Sequence, residues 1–343
     1  MTRAILVAGG AGYIGSHVCK LLAASGYLPI TLDNLSTGHR KLVRFGPLAE
    51  SSVSDVKLVR KLVKGYRIKA VIDLAGFIDI AESVRDPIKY YQNNFLEKRI
   101  FLETLWSCGV RAFVFASTAS VYGDHQPTPV TEAHPLHPAN PYGWSKRIFE
   151  QALQGTHMRY MILRYFNAAG ASPDGDIGEC HEPETHLIPN ACAVALGRKP
   201  ALQIFGNDYD TEDGTAVRDY VHVMDLASAH VFAVEALLSG APSAVYNLGN
   251  GKGFSVMQVL KAFSELGLRV PHYFAPRRAG DPAMLVADAT AAKKNLGWTP
   301  RHTEITTIIE SAYHWHKGHT FAHLSHTPLP QTGEDSPYAA GAA

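Results

Sequence analysis

Tyr142 and Lys146 stand four residues apart in the stretch Asn140-Pro141-Tyr142-Gly143-Trp144-Ser145-Lys146. Asn140 is a favoured cap and Pro141 suits a first helical position. Ile148, Phe149, Ala152 and Leu153 continue an apolar helical pattern, so the spacing predicts a helix starting at Asn140. Residues four apart share one helix face, one turn from each other. A free phenol has a pKa of about 10, and bringing it to about 7 takes roughly 4 kcal/mol. One cation about 4 Å away supplies that order of energy at an effective dielectric near 20. The pair can therefore make a tyrosine general base. An ordinary exposed Tyr–Lys pair has the same spacing, so the remainder of the chain has to decide.

A second chemical pattern lies at the start. Residues 4–8 (Ala-Ile-Leu-Val-Ala) read as a short buried strand, and an amphipathic helix runs to about residue 24. Between them Gly9, Gly12 and Gly15 give a GxxGxxG spacing. The first glycines permit a tight turn and close approach to a pyrophosphate, and the last lets helix and strand pack closely. A strand over 28–32 ends in Asp33, 18 residues past Gly15, where a carboxylate meets an adenosine ribose. Asp33 would repel a 2′-phosphate, so NAD is expected over NADP, although His39, Arg40 and Lys41 are close in sequence.

The elements that position these groups alternate strand and helix. A helix is expected over 53–63, a strand over 69–75, a long helix over 87–108, and a strand over 111–117 with Thr118 at its carboxyl end. A strand over 160–164 leads to Tyr165-Phe166-Asn167. The fold class is α/β, a doubly wound parallel sheet with helices on both faces, where ligands bind at the carboxyl ends of strands. Residues 170–186 have a loop composition. Beyond them helices are expected over 188–196, 223–238, 256–266 and 303–316, with strands over 202–205 and 245–248. The acidic turn 207–214 imitates the start of a calcium loop, but Asp213 stands where its glycine belongs, which excludes calcium. Cys180, His181 and His186 lack a fourth zinc partner at a recognised spacing, so no metal is expected.

The length of 343 residues suggests about two domains. Hydrophobic content of 46% and charged content of 18% are those of a soluble globular chain. A net charge of +1 argues against nucleic acid or an anionic membrane as partner. Cys19, Cys108, Cys180 and Cys192 form no CxxC pair, and no apolar run approaches the ~18 residues of a membrane span. A cytoplasmic location is expected.

Gly9-x-x-Gly12-x-x-Gly15, Thr118 and Tyr142-x-x-x-Lys146, in that order, resemble the extended short-chain dehydrogenases/reductases. The strings Gly206-Asn207-Asp208-Tyr209-Asp210-Thr211-Glu212-Asp213-Gly214-Thr215 and Val217-Arg218-Asp219-Tyr220-Val221-His222 are similar to the UDP-glucose 4-epimerase family. So are Arg164-Tyr165-Phe166-Asn167, Ala275-Pro276-Arg277-Arg278 and Gly280-Asp281. The resemblance runs from residue 4 to about 316. It implies that Tyr142 takes the proton of the sugar 4-hydroxyl, that Thr118 orients that oxygen, and that Lys146 lowers the Tyr142 pKa and binds the nicotinamide ribose. Gly9, Gly12, Tyr13, Ile14, Gly15, Asp33, Asn34 and Phe166 are implied at the NAD. Asn167, His186, Leu187, Phe205, Arg218, Tyr220, Arg278, Asp281 and Leu285 are implied at a UDP-sugar, with Arg218 and Arg278 on its pyrophosphate. Leu285 is implied beside the sugar C2 substituent, where a tyrosine restricts relatives to glucose and galactose. The implied domains are 1–168 with 218–250 for NAD and 169–217 with 251–319 for the nucleotide sugar, followed by a flexible tail over 320–343. Relatives are homodimers, here through the helices expected at 87–108 and 140–153.

Three positions depart from the family. Ser51-Ser52 precede Val53 where an adenine-binding carboxylate is usual, Ile78 replaces a lysine of some members, and His186 replaces an asparagine. A 4,6-dehydratase would need an Asp-Glu pair directly after the threonine, and Ala119-Ser120 stand there instead. A UDP-uronate or UDP-pentose 4-epimerase and a non-catalytic NAD-sensing regulator are the other readings. A regulator would be expected to lose the tyrosine–lysine pair.

Overall fold

The computed structural model describes residues 3–124, 127–278 and 281–319. The tail expected over 320–343, and Gly280, lie outside the described residues. In chain order the first elements are β1 (Ala4–Ala8), α1 (Tyr13–Ala24), β2 (Leu28–Asp33), β3 (Leu48–Glu50), α2 (Val56–Tyr66) and β4 (Ala70–Asp73). Then come α3 (Ile80–Arg85), α4 (Pro87–Tyr91), α5 (Lys98–Ser107), β5 (Ala112–Thr118), α6 (Pro141–Gln154) and β6 (Arg159–Tyr165). They are followed by β7 (Asn167–Ala169), α7 (Leu187–Ala195), β8 (Leu202–Phe205), β9 (Val217–His222), α8 (Val223–Leu238) and β10 (Ala244–Leu248). The last are β11 (Gly253–Ser255), α9 (Val256–Glu265), β12 (His272–Ala275), β13 (Met284–Leu285) and α10 (Ile305–Gly318).

Seven strands form one parallel sheet in the order β10-β6-β5-β4-β1-β2-β3. Both faces are covered, so β1 is buried at every position. Alternation sorts its side chains. Ile5 and Val7 join Val18 and Leu22 of α1 and Leu226 and Val234 of α8, while Leu6 joins Val59 of α2, Phe101 of α5 and Phe149 of α6. Burying a phenylalanine or leucine of this kind stabilises by roughly 1.5–3 kcal/mol. The expected doubly wound sheet is what the chain forms.

A smaller unit packs beyond the carboxyl ends of these strands. β9 pairs with β7 and β13 in parallel and with β11 antiparallel, and β8 pairs with β12. Its core joins α7, α9 and α10 through Ile188, Phe263, Ile308 and Ile309. Because β7 begins two residues after β6 ends, Phe166 sits at the junction of the two units.

The helix expected over 87–108 is helical throughout but carries a π turn at Gln92–Glu97 between α4 and α5. The extra residue in that turn places Asn94 inward. Its amide accepts from Phe77 N at 2.9 Å and donates to Phe77 O at 3.0 Å and Ser145 Oγ at 3.1 Å. The sequence reading also missed α3 and the six-residue β9, and it missed β3, β7, β11 and β13, which span two or three residues each and are too short to show a period. β12 was missed because three of its four residues are exposed.

Candidate active site

The glycine turn is built by steric necessity. Gly9 has φ +78°, and a Cβ there would lie 2.6 Å from Ala75 N. A Cβ on Gly15 would lie 2.0 Å from Gly9 O, so only glycine lets α1 start against the end of β1. No acidic residue occupies the first turn of α1 to compete with a bound anion. Asp33, at the end of β2, accepts from Ala11 N at 3.0 Å and Leu35 N at 2.9 Å, which ties the turn to the loop carrying Asn34. Burial raises the Asp33 pKa against those two hydrogen bonds. A carboxylate has about four lone-pair sites, so acceptor capacity remains for a ribose hydroxyl. The neighbouring cations are engaged elsewhere: His39 Nε2 lies 3.0 Å from Cys180 O, and Arg40 pairs with Glu50. Ser52 stands where the family carries a carboxylate, and its hydroxyl donates to Glu97 Oε2 at 2.8 Å, so a carboxylate does reach this corner. Glycines where a Cβ would clash, a helix start free of acids and Asp33 together fit a dinucleotide.

α6 starts as its sequence dictates. Asn140 Oδ1 accepts from Gly143 N at 2.8 Å, and Pro141 occupies the first turn. Tyr142 and Lys146 are both buried, beside Thr118 at the end of β5. The Thr118 hydroxyl lies within hydrogen-bond reach of the phenol. Burial raises the Tyr142 pKa, and the Thr118 hydrogen bond opposes it. The expectation that Lys146 depresses the phenol differs from what the chain shows. Lys146 Nζ donates to Ala116 O at 2.9 Å. Burial, and next the charge of Lys98, lower its pKa to about 7. Among the causes that shift the phenol, burial and Thr118 act and Lys146 does not.

Two residue sets that sequence reasoning missed hold this helix. Lys98 Nζ lies 2.9 Å from Asp73 Oδ2, with both side chains sealed from solvent. Lys98 and Lys146 each sit 5.2 Å from the centre of the Phe115 ring. Beneath α6, Glu150 accepts from Ser117 Oγ at 2.6 Å and from Arg164 Nε and Nη2 at 2.9 and 2.8 Å. Arg164 continues to the Tyr122 hydroxyl at 3.0 Å, which donates to Asn247 Oδ1 at 2.6 Å. The only sequence signal for these sets was charged residues inside otherwise apolar periodic stretches.

The smaller unit brings the implied sugar-nucleotide residues to the same side. Arg218 pairs with Asp281, and Leu285 lies opposite Arg218 in the β13–β9 register. Leu285 packs on a cluster that contains Phe166 and Ala119, the residue after Thr118. The Arg278 guanidinium lies 3.9 Å above the Phe205 ring. Asn167 pairs with Tyr220 between β7 and β9. Tyr220 itself is buried in the core of this unit, and burial pushes its pKa up to about 12, so its ring is a wall rather than an open contact. Leu187 begins α7.

His186, just ahead of it, is drawn into a group with Glu179, His181 and Glu184. Burial opposes charge on His181, but its hydrogen bond to Glu179 and the nearby Glu184 carboxylate carry its pKa up to about 9. Tyr13 opens α1 nearby. Its hydroxyl donates to Gly170 O at 2.6 Å, and burial followed by Glu179 and Glu184 raises its pKa.

Residues 5–249 match the model of the NAD dependent epimerase/dehydratase family. A UDP-glucose 4-epimerase of Rhizobium leguminosarum bv. trifolii is 47% identical over 317 residues, covering 91% of this chain and 97% of that one. The crystal structure of UDP-glucose 4-epimerase from Brucella ovis in complex with NAD superposes with a TM-score of 0.89 at 42% identity, covering 92% of this chain and 98% of that one. The enzyme of that name from Bifidobacterium longum, in complex with NAD⁺ and UDP, gives a TM-score of 0.86 at 36% identity over 92% of this chain and 98% of its own.

Proposed function

The chain belongs to the NAD dependent epimerase/dehydratase family, and from that premise we propose that it interconverts UDP-glucose and UDP-galactose by transient oxidation at the sugar C4. The observation that carries the reading is the meeting of Thr118, Tyr142 and Lys146 around the carboxyl end of β5, with Leu285 and Phe166 in the apolar cluster of the adjoining Ala119. When bound, NAD would supply a hydride acceptor for C4 and a hydride donor on return. Gly9, Gly12, Gly15, Tyr13, Ile14, Asp33, Asn34 and Phe166 would hold it. Tyr142 accepts the proton of the 4-hydroxyl and later returns it, while Thr118 donates to the same oxygen. Lys146 steadies the nicotinamide ribose. Arg218 and Arg278, braced by Asp281 and Phe205, take the pyrophosphate, the geometry for which guanidiniums are suited. The 4-keto sugar turns over in the pocket while the uridine end stays held by Asn167, Leu187 and Phe205.

We assign residues 1–168 with 223–250 to the NAD and 169–222 with 251–319 to the sugar nucleotide, which moves 218–222 out of the expected NAD segment because β9 pairs within the smaller sheet. β9 belongs to the smaller sheet, and α8 and β10 to the larger. A homodimer is supported by an apolar surface on α3, α4 and α6, where Ile80, Val84, Ile88 and Trp144 are exposed. Among the described residues no helix is long and apolar enough to cross a membrane, and the four cysteines are free thiols, which supports a reducing, cytoplasmic location.

The test is direct. Purified protein given UDP-galactose without added cofactor forms UDP-glucose, and denaturation releases NAD⁺ or NADH. Release of NADP⁺ instead would overturn the role given to Asp33.

A further inference from the structure

Four side chains of one eight-residue stretch, Glu179, His181, Glu184 and His186, converge ahead of α7. Each offers one ligand atom, and these atoms lie within 4.8 Å of one another. His186 Nδ1 is 2.8 Å from Glu184 Oε1 and 2.9 Å from Glu179 Oε1. His181 Nδ1 is 3.1 Å from Glu179 Oε1 and 3.6 Å from Glu184 Oε2. Both imidazoles thus turn the same edge toward the same two carboxylates. The Glu179 and Glu184 side chains are 4% and 8% exposed. Glu184 Oε2 is buried with no hydrogen-bond partner, although it faces the group. His181 Nδ1 stands 3.6 Å from it, and a cation between the two would satisfy a buried carboxylate oxygen better.

We propose that this group binds one divalent cation of the zinc type, through the Nδ1 atoms of His181 and His186 and one oxygen each of Glu179 and Glu184. Two carboxylates and two neutral imidazoles neutralise a 2+ charge. A mixed nitrogen and oxygen set suits zinc better than calcium or magnesium, which take oxygen ligands alone. Zinc sits about 2.0–2.2 Å from such donors, which places tetrahedral ligand atoms about 3.4 Å apart. The contacts here, from 2.8 to 3.6 Å, bracket that spacing. Four protein ligands and no open position make the site structural rather than catalytic.

The surroundings are built to hold the ligands. Trp315 Nε1 donates to Glu179 O at 2.8 Å, and Asn190 Nδ2 donates to His186 O at 2.8 Å and Glu184 O at 3.2 Å. His186 N donates to Glu184 Oε1 at 2.8 Å, and the His181 ring stands edge-on to Tyr13 with centroids 6.2 Å apart. The cation would therefore fasten the loop that enters α7 against the residue that opens α1. Cys180 is not a ligand, since its thiol is not among the converging atoms. The site does not depend on which sugar the enzyme turns over.

The test uses the full chain, freed of any affinity tag, stripped with chelator and transferred to metal-free buffer. Zn²⁺ is titrated by calorimetry and Co²⁺ by visible absorption. The expected result is one equivalent of Zn²⁺ per chain, a higher melting temperature with Zn²⁺, and the intense visible bands of tetrahedral Co²⁺. His181→Ala and the isosteric Glu184→Gln should each weaken Zn²⁺ by more than the 10–100-fold typical of outer-shell changes. Failure of the stripped wild type to take up either ion would overturn the proposal, whatever the variants do. So would uptake that both folded variants retain unchanged, because the ion would then sit elsewhere.

Discussion

The buried charges around α6 and those ahead of α7 are built on opposite balances. Behind Tyr142, two buried ammonium groups, Lys98 and Lys146, lie near the carboxylates of Asp73 and Glu150, and burial lowers the Lys146 pKa to about 7. Ahead of α7, two glutamates face two imidazoles that can match them in charge. The difference teaches how each region is used. The first is a fixed frame with one group left adjustable, because Glu150, Arg164 and Asn94 are fully engaged in holding the helix. The second is a self-contained knot that fixes where a loop becomes a helix. Chemistry belongs where the charge is unfinished, and anchoring where it is balanced.

The comparison is broken most severely by removing the adjustable phenol. Tyr142→Phe should lower turnover by roughly 10²–10⁴ while retaining bound NAD, measured as nucleotide released on denaturation. Arg164→Met attacks the frame and leaves Glu150 buried without its partner. It should cost about 3–5 kcal/mol of stability in urea unfolding, whereas Arg164→Met with Glu150→Leu should recover most of that loss. A double variant no more stable than the single one would show that the ion pair is not what holds α6.

Leu285→Tyr probes the pocket rather than the frame. On the proposal that Leu285 stands beside the C2 substituent, leucine should leave some room there, and overpacking costs about 1–3 kcal/mol, or roughly a 10–100-fold discrimination. Wild type should convert UDP-galactose well and UDP-N-acetylglucosamine more weakly. The substitution should abolish the second activity and spare the first, and equal suppression of both would remove Leu285 as the gate.

The smallest effect sharpens the charge argument. Lys98→Met with Asp73→Asn removes the neighbouring cation without stranding a carboxylate. Since Lys98 lowers the Lys146 pKa more than Asp73 raises it, the alkaline limb of kcat/KM should move to higher pH. The sign for stability is separate. In the folded chain Lys146 titrates near 7 against an ordinary value of 10.5, so unfolding takes up a proton between those values. Its contribution to stability therefore rises with pH across that window.

Much of this was legible in residue spacing. Asn140-Pro141 marked the start of α6, and Gly15 marked a contact that admits no side chain, because caps and close packing are local demands that a sequence must meet locally. Residues joined only by the fold were not legible. Asn94 faces inward because of a π turn that no period announces. Lys98 and Asp73 lie 25 residues apart, and nothing in either segment names the other. Glu179 and Glu184 sit in a loop without periodicity, where their carboxylates look like ordinary surface polarity. Only His181-x-x-Glu184-x-His186 offers a signal there, and the adjoining Cys180, which is not a ligand, makes that spacing look like an incomplete cysteine site.

The central claim is that the hydrogen on C4 leaves and returns without meeting solvent. The most direct measurement runs the conversion of UDP-galactose in deuterium oxide and examines the product C4 by NMR. The account predicts no deuterium at C4 at full conversion, and full retention of label when the substrate carries deuterium there. Solvent deuterium at C4 of the product would contradict it.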